Sequence, residues 1–311
     1  MSALIHKRGV ALITAMLITA LTATLAAGLA WNSALDVRRT MVLLFHEQGI
    51  QIALGAESWM QNLLRDDLGE SETDHLGELW ASDLPGLPVE SDTIQGAVMG
   101  KIEDLQGRFN VNNLIDANGE IDETVFEQFR RLLQVLELDP KFAGLTADWI
   151  DANQEAGFPD GAEDSIYTGF TPSYRTYNRP LSNVSELAAL DGMDKASYDR
   201  LLPHITALPG RTAINVNTAS AEVLMSLDEN LDASTVEGLI AQREESGFAS
   251  IVDTFSVLVT PEVFNLITES SSFFRLKAVV QIDTVRVTYF SILQRSPNGT
   301  VTTILRSLGT I

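Results

Sequence analysis

From Val10 to Trp31 the chain runs 22 residues without a charge, VALITAMLITALTATLAAGLAW. About 20 apolar residues in a helix cross a bilayer core, so this stretch is long enough to span one. Apolar residues then keep recurring every three or four positions, at Leu35, Val37, Met41, Leu44, Phe45, Ile52, Leu54, Trp59, Leu63 and Leu64, and the first proline is Pro85. This spacing predicts one helix from about 10 to 66, about 85 Å long at 1.5 Å per residue. Its first part, 10–31, suits a membrane, and the remainder suits packing on a soluble domain. Lys7 and Arg8 precede the apolar run and Trp31 closes it, which predicts a cytoplasmic N-terminus and an interfacial aromatic. An ordinary secretory signal would have an apolar stretch of about 7–15 residues and a small-residue cleavage site. The longer run, continuing into further helical pattern, argues against that.

Residues 67–92 mix acids, Gly and Pro and read as a linker with a turn of helix. Thr93–Leu105 has a short strand pattern, which FNVNNL at 109–114 extends or turns out of. From about 114 to 268 the pattern is helical. VFEQFRRLLQVLEL is amphipathic and ends before Pro140, with Thr124 and Glu127 spaced as a capping box. Further helices are expected near 145–151, 183–191, 195–206, 218–227, 234–245 and 261–268, the 234–245 helix with Ser234 and Glu237 as a second capping box. After Phe273 the period becomes two: FFRLKAVVQI, TVRVTYFSILQR and TVTTILRSL predict three strands, the last two joined at Ser296-Pro297-Asn298-Gly299. The order implies an α+β domain, 67–113 with 269–311, into which a helical domain, 114–268, is inserted. GRFNVNNL at 107–114 and GRTAINVNTA at 210–219 form a weak internal repeat. Its simplest reading is an extended strand leading into an Asn-capped helix, twice.

Composition narrows the chemistry. There are 21 Lys+Arg against 42 Asp+Glu, a formal net charge of −21, and no cysteine. Disulfides and thiolate metal sites are excluded. The first acid is Asp36, so the negative charge lies entirely beyond the apolar run. No G-x-S-x-G, HExxH or phosphate loop occurs, and the four histidines (His6, His46, His75, His204) are scattered.

Residues 208–250 resemble a helix-hairpin-helix unit, which in DNA-binding versions offers backbone N–H groups from a Gly-apolar-Gly hairpin to phosphate. Asp191-Gly192-Met193-Asp194 has Asp where the second Gly belongs, and SLDENLDAS at 226–234 has no Gly. From Gly210 to Phe255 there are two bases and eight acids, so 2 − 8 = −6. Phosphate affinity is mainly counterion release by Lys and Arg, so nucleic-acid binding is not expected.

Residues 148–164, DWIDANQEAGFPDGAED, carry six acids (Asp148, Asp151, Glu155, Asp160, Glu163, Asp164) and no base. Such a loop is either a solvated acidic turn or a shared cation site. Calcium takes 6–8 oxygen ligands, and Asp151-x-Asn153-x-Glu155 has the alternate spacing of a calcium loop. It is not an EF-hand: Gly157 comes one residue late and Ala162 occupies the bidentate position. Asp116-Ala117-Asn118-Gly119-Glu120 is a look-alike that reads more simply as a turn.

Lys7-Arg8-Gly9-Val10 resembles a prepilin leader, residues 1–9, cut by prepilin peptidase between Gly9 and Val10. Most pilins have Glu as the fifth mature residue, and here that position is Thr14. A carboxylate in hydrocarbon is costly without a partner, so Thr14 suits a subunit with no neighbour above it. This junction, the DWIDAN…GAED loop, YRTYNRPLSNVSELAALDGM at 174–193 and INVNTASAEVL at 214–224 together resemble the K-type minor pseudopilins of bacterial type II secretion (general secretion pathway protein K family). The resemblance implies a pseudopilin α+β fold with a large inserted all-helical, SAM-like or helix-hairpin-helix-like domain. It implies a non-enzymatic subunit at the pseudopilus tip, with I-type and J-type minor pseudopilins as partners and contact with secreted cargo or the secretin. It implies a methylated new terminus, a single pass of the inner membrane with the C-terminal domain in the periplasm, and a structural calcium ion. The ligands it points to are Asp151, Asn153, Glu163 and Asp164, with Asp148, Glu155 and Asp160 behind them. A minor pilin of a type IV pilus shares the same assembly chemistry, and a membrane-anchored periplasmic hydrolase using some of these acids is a further alternative.

Overall fold

The computed structural model describes residues 3–91, 94–243, 246–248 and 250–310. Thr93, where the first strand pattern begins, and Glu244 and Glu245, at the end of the helix expected near 234–245, lie outside the described residues. Helix α1 (Ala3–Glu70) runs unbroken through Gly9, Val10 and the apolar stretch. Its large apolar side chains from Val10 to Leu44 are exposed. This helix is long and apolar enough to cross a membrane, its most apolar 18-residue stretch having a mean hydropathy of 2.1. From Phe45 onward one face packs down: Ala53, Met60 and Leu64 are buried, spaced seven and four residues apart as one face of a helix requires.

That face lies on a five-stranded antiparallel sheet of β1 (Leu84–Ser91), β2 (Ile94–Asp104), β7 (Phe273–Ile282), β8 (Val285–Arg295) and β9 (Val301–Leu308), in that spatial order. The last three strands fall where the period-two pattern places them. At Gly49 an added Cβ would stand 2.7 Å from Val287 Cγ2, so glycine lets α1 approach β8 closely. Ile102, Leu276, Val280, Val287 and Leu293 form the core beneath the helix. β1 was expected to be linker. It carries Pro85 within an irregularity of the pairing and Pro88 opposite Ala97, and it occupies an edge, where a proline's missing N–H is tolerated.

The block between β2 and β7 has its own core, drawn from residues between Phe109 and Ile267. It contains α2 (Glu123–Val135), α3 (Lys141–Ile150), α4 (Asp164–Tyr167), α5 (Lys195–Leu201), α6 (Ala221–Leu227), α7 (Ala233–Arg243), α8 (Ile251–Phe255) and α9 (Pro261–Phe264). It is mainly rather than wholly helical, because two short parallel pairs are built into it. β3 (Phe109–Asn110) pairs with β4 (Ile205–Thr206), and β5 (Ile214–Asn215) pairs with β6 (Ile267–Thr268). Helix α2 buries Val125, Phe129, Leu132 and Leu133, and Phe129 stacks on Phe109 with ring centroids 4.9 Å apart.

Several expected helix starts are corrected. Asp122, not Thr124, caps α2: its carboxylate accepts from the Thr124 and Val125 N–H groups at 3.1 and 3.2 Å, and Thr124 is already inside the helix. Asp232 plays that part for α7, accepting from Thr235 N–H at 2.8 Å, so Ser234 is no cap. Aspartate two residues earlier satisfies the free N–H groups first. Among the described residues Asn183 with Glu186 forms a complete capping box, at the head of a 3-10 turn, Val184–Ala189. The helix expected to reach 206 ends as α5 at Leu201 and passes into a 3-10 turn holding Pro203.

Candidate metal centre

The acidic loop hangs between the end of α3 and the start of α4. Asp148 lies in the last turn of α3, Asp151 is its C-cap and Glu163 is the N-cap of α4. Helix geometry places Asp148 and Asp151 on one face of the helix end. One oxygen from each of Asp148, Asp151 and Glu163 can be chosen so that all lie within 4.8 Å of one another, and all three residues are buried. Among the described residues no Lys or Arg nitrogen lies within 4.0 Å of their carboxylate oxygens.

The loop is folded around Asp148. The Gly157 N–H donates to its carboxylate at 3.0 Å, and a Cβ at Gly161 would overlap both Asp148 Oδ2 and the Gly157 backbone. Burial pushes all three carboxyls up. Asp148 is raised, Asp151 is raised to about 6 by burial and then by the Asp148 charge, and Glu163 is raised to about 7, chiefly by burial with Asp148 and Asp151 adding to it. Glu163 Oε1 and the side-chain carbonyl of Asn178 are buried and unpartnered. A buried acceptor with no donor is costly, and oxygen acceptors converging without a base suit a hard cation. Calcium fits this donor set; with no thiolate or imidazole present, a zinc-type site does not.

The other expected ligands are placed differently. Asn153 donates its side-chain amide to Asp151 Oδ2 at 2.7 Å, and its Oδ1 accepts the Glu155 N–H, so it closes turns of the loop. Glu155 and Asp160 are exposed. Asp164 turns to Thr176, accepting its N–H and hydroxyl at 3.0 Å, and to Arg175 at 3.4 Å. Asn178 is a residue the loop spacing does not single out. It lies far along the chain, with φ 50, and donates to the Asn153 carbonyl. Thr14, far away on α1, donates its hydroxyl to the Ala11 carbonyl at 3.0 Å and is exposed.

A second acidic cluster, Asp67, Asp74 and Glu78, sits where α1 meets the sheet. Here the cation is part of the chain: Arg295 donates to Asp67, to both oxygens of Asp74 and to two backbone carbonyls. His204 approaches Ser220 Oγ at 3.0 Å and Glu222 at 3.7 Å through the same Nδ1. A Ser-His-acid relay needs the two partners on opposite ring nitrogens, so this is not one. In the helix-hairpin-helix-like segment both bases are occupied. Arg211 pairs with Asp122 at 2.6 Å, and buried Arg243 donates to the Val216 and Ala219 carbonyls. Arg243 is thus buried away from phosphate, and Arg211, though part-exposed, already has a carboxylate partner.

A membrane-length helix packed on an antiparallel sheet is the arrangement of the pseudopilin class, and here a helical block is inserted between two of its strands. Residues 107–210 and 214–268 match the family type II secretion system (T2SS), protein K. The chain is 36% identical to the type II secretion system protein K of Pseudomonas aeruginosa, over 97% of this chain and 93% of that one. It is 35% identical to the Klebsiella pneumoniae protein of the same name, over 79% and 78%. In fold it is similar to a chain in the crystal structure of the GspK-GspI-GspJ complex from enterotoxigenic Escherichia coli. The TM-score is 0.77 at 23% identity, covering 88% of this chain and 100% of that one. The chain belongs to the type II secretion system protein K family and is a minor pseudopilin.

Proposed function

We propose that this chain is a non-enzymatic subunit at the tip of the type II secretion pseudopilus. There it starts assembly with I-type and J-type minor pseudopilins and supports protein export across the outer membrane. The observation that carries this reading is the helical block between β2 and β7, built on its own core. Side-by-side packing of α1 and sheet in a filament leaves little room for a block of that size, whereas an end has room. The similar chain solved in complex with GspI and GspJ supports the choice of partners.

Val10–Trp31 anchors the chain once in the inner membrane, with residues 1–9 cytoplasmic and the sheet and helical block periplasmic. Prepilin peptidase cuts between Gly9 and Val10, and the new terminus is methylated. Thr14, in place of the usual Glu, suits a subunit with none above it. The helical block is the part that meets cargo or the secretin. Calcium is its structural ion, held by Asp148, Asp151 and Glu163, with Asn153, Glu155, Asp160 and Asp164 shaping the loop or reaching the ion through water.

The test is co-expression of the full chain with I-type and J-type minor pseudopilins, extraction in mild detergent and measurement of the mass of what co-purifies. A stoichiometric three-subunit complex is expected. Separate elution of this chain from both partners would sink the reading.

A further inference from the structure

A cleft of about 300 Å³ opens where the helical block meets the sheet. Arg275 stands in it on β7, in a cross-strand row Glu103–Arg275–Ile292–Leu305. The adjacent row, with Ile102 and Leu276, faces the core under α1, so this row is on the opposite face of the sheet. Arg108 enters from the loop after β2. Both guanidiniums donate through Nη2 to one oxygen of Glu103, Arg108 at 3.0 Å. Their side chains are only 19% and 22% exposed, so this is a sheltered place for two cations sharing one carboxylate.

Other carboxylates do not restore the balance. Asp104 is nearby, yet its oxygens already accept from Gln106 N–H, Asn215 Nδ2, Ser271 Oγ and Thr218 Oγ1, and burial pushes it up. Lys101 pairs outward with Asp83. Burial first, and then the Arg275 charge, holds Arg108 below its ordinary value. Among the described residues the Nε and Nη1 groups of both arginines have no protein acceptor. The walls are mainly apolar, with Leu105, Val184, Ile205, Ile292 and Leu305, and Ser182, Asn183 and Thr206 add polar groups at the lining. In a chain of net charge −21 this cleft holds a local excess of positive charge. Its volume is at the small end of small-ligand sites.

We infer that this cleft binds a carboxylate carried on a short apolar body, with the two guanidiniums taking the carboxylate and the apolar walls taking the body. Planar guanidinium forks match a carboxylate geometrically, and desolvated charge-assisted bonds are the strong ones. The proposal stands whether or not the chain occupies a pseudopilus tip. The apolar C-terminus of a protein chain and a short acyl acid both carry this chemistry.

The test is thermal unfolding of the full chain in mild detergent at fixed ionic strength. The probes are N-acetyl-leucine and pentanoate, each against its amide. The carboxylates are expected to raise Tm by about 2–4 °C at about tenfold over Kd, and the amides to leave it unchanged. A Kd at least tenfold lower for one carboxylate assigns the source, chain terminus or acyl acid. Arg275→Gln is expected to abolish the response. Leu305→Glu supplies a carboxylate from the chain itself, and should melt above Leu305→Gln and lose the response to both probes. This pair keeps the test open should Arg275→Gln fail to fold. Equal effects of acids and amides, no effect of either acid, or Leu305→Glu melting below Leu305→Gln would each overturn the proposal.

Discussion

Asn110 and Asn215 hold the same place in two successive units of the helical block. Each ends a two-residue strand, and each is paired in parallel with a threonine at the unit's close, Thr206 and Thr268. Each side-chain carbonyl accepts the N–H two residues on, from Asn112 at 3.2 Å and Asn217 at 3.0 Å. Those second asparagines repeat the arrangement, accepting from the distant Leu181 and Phe248 N–H groups. The two family matches, 107–210 and 214–268, coincide with these units. The N-x-N pattern is therefore a buried clamp as well as a cap.

The clamps differ in what they join, and this gives a first prediction. Asn110 reaches Gly210 and Thr212, within the helical block or its connection, whereas Asn215 reaches Asp74, Asp104 and Ser271, which belong to the α1-and-sheet part. Truncating either leaves buried groups unpaired, so Asn110→Ala and Asn215→Ala should each cost about 2–4 kcal/mol in chemical denaturation. Asn215→Ala should in addition split the transition in two, because it loosens the joint between the two cores. A single shared transition for that variant would refute the difference.

How far these features are legible in the sequence depends on the range of the interactions. The strands at Phe273, Val285 and Val301 are legible because a half-buried sheet imposes strict alternation over eight or more residues. β1 is hidden by its prolines, and α4 and α8 are too short to show a period. At the acidic loop, residue type and charge mark the region, but D-x-N-x-E spacing favours Asn153 over Asp148. In the structure Asp148 stands with Asp151 and Glu163, because the helical turn sets it beside Asp151. Asn178 could not be found from spacing at all, since only tertiary packing brings it to the loop.

The loop around Asp148 leaves no room at Gly161. Gly161→Ala is expected to displace the loop and lose any stabilisation by calcium, measured by the melting temperature with and without the ion. Gly238, inside α7 with nothing within 4 Å of an added Cβ, is the control. There Ala should stabilise by about 0.5–1 kcal/mol through helix propensity. If Gly161→Ala keeps the wild-type response to calcium, the close packing at the loop is unimportant to the site.

Arg295 is the internal cation of the second acidic cluster, and its side chain is only 3% exposed. Arg295→Met removes the charge while preserving much of the packing against Phe274. It leaves Asp67 and Asp74 without their cation, and a loss of about 3–5 kcal/mol is expected in urea titration. Adding Asp74→Asn to Arg295→Met should recover part of this. Strict additivity of the two changes would contradict the network.

Processing of the leader is tested most directly in cells. Gly9→Leu should block cleavage between residues 9 and 10, leaving a chain longer by nine residues on a denaturing gel. An unchanged mobility would show that this junction is not the cut.

Calcium and pH should act on the same three carboxyls. For Asp151 the folded value is raised from 3.8 to about 6, and for Glu163 from 4.5 to about 7. The folded state therefore holds more protons than the unfolded one across this window, so metal-free stability should fall as pH rises from about 4 to about 7. Asp67 and Asp74, raised to about 7 and about 6, contribute with the same sign, so the pH slope alone does not isolate the loop. Calcium does isolate it, because a cation favours the ionised carboxylates. Its gain in Tm should be large at pH 8 and small at pH 5. At a free concentration of about 100 times Kd it corresponds to about 2.7 kcal/mol. Glu163→Gln should stabilise the metal-free protein at pH 8 and remove most of the calcium gain. A calcium shift equal at both pH values, or no shift with either calcium or chelator, would sink the structural ion.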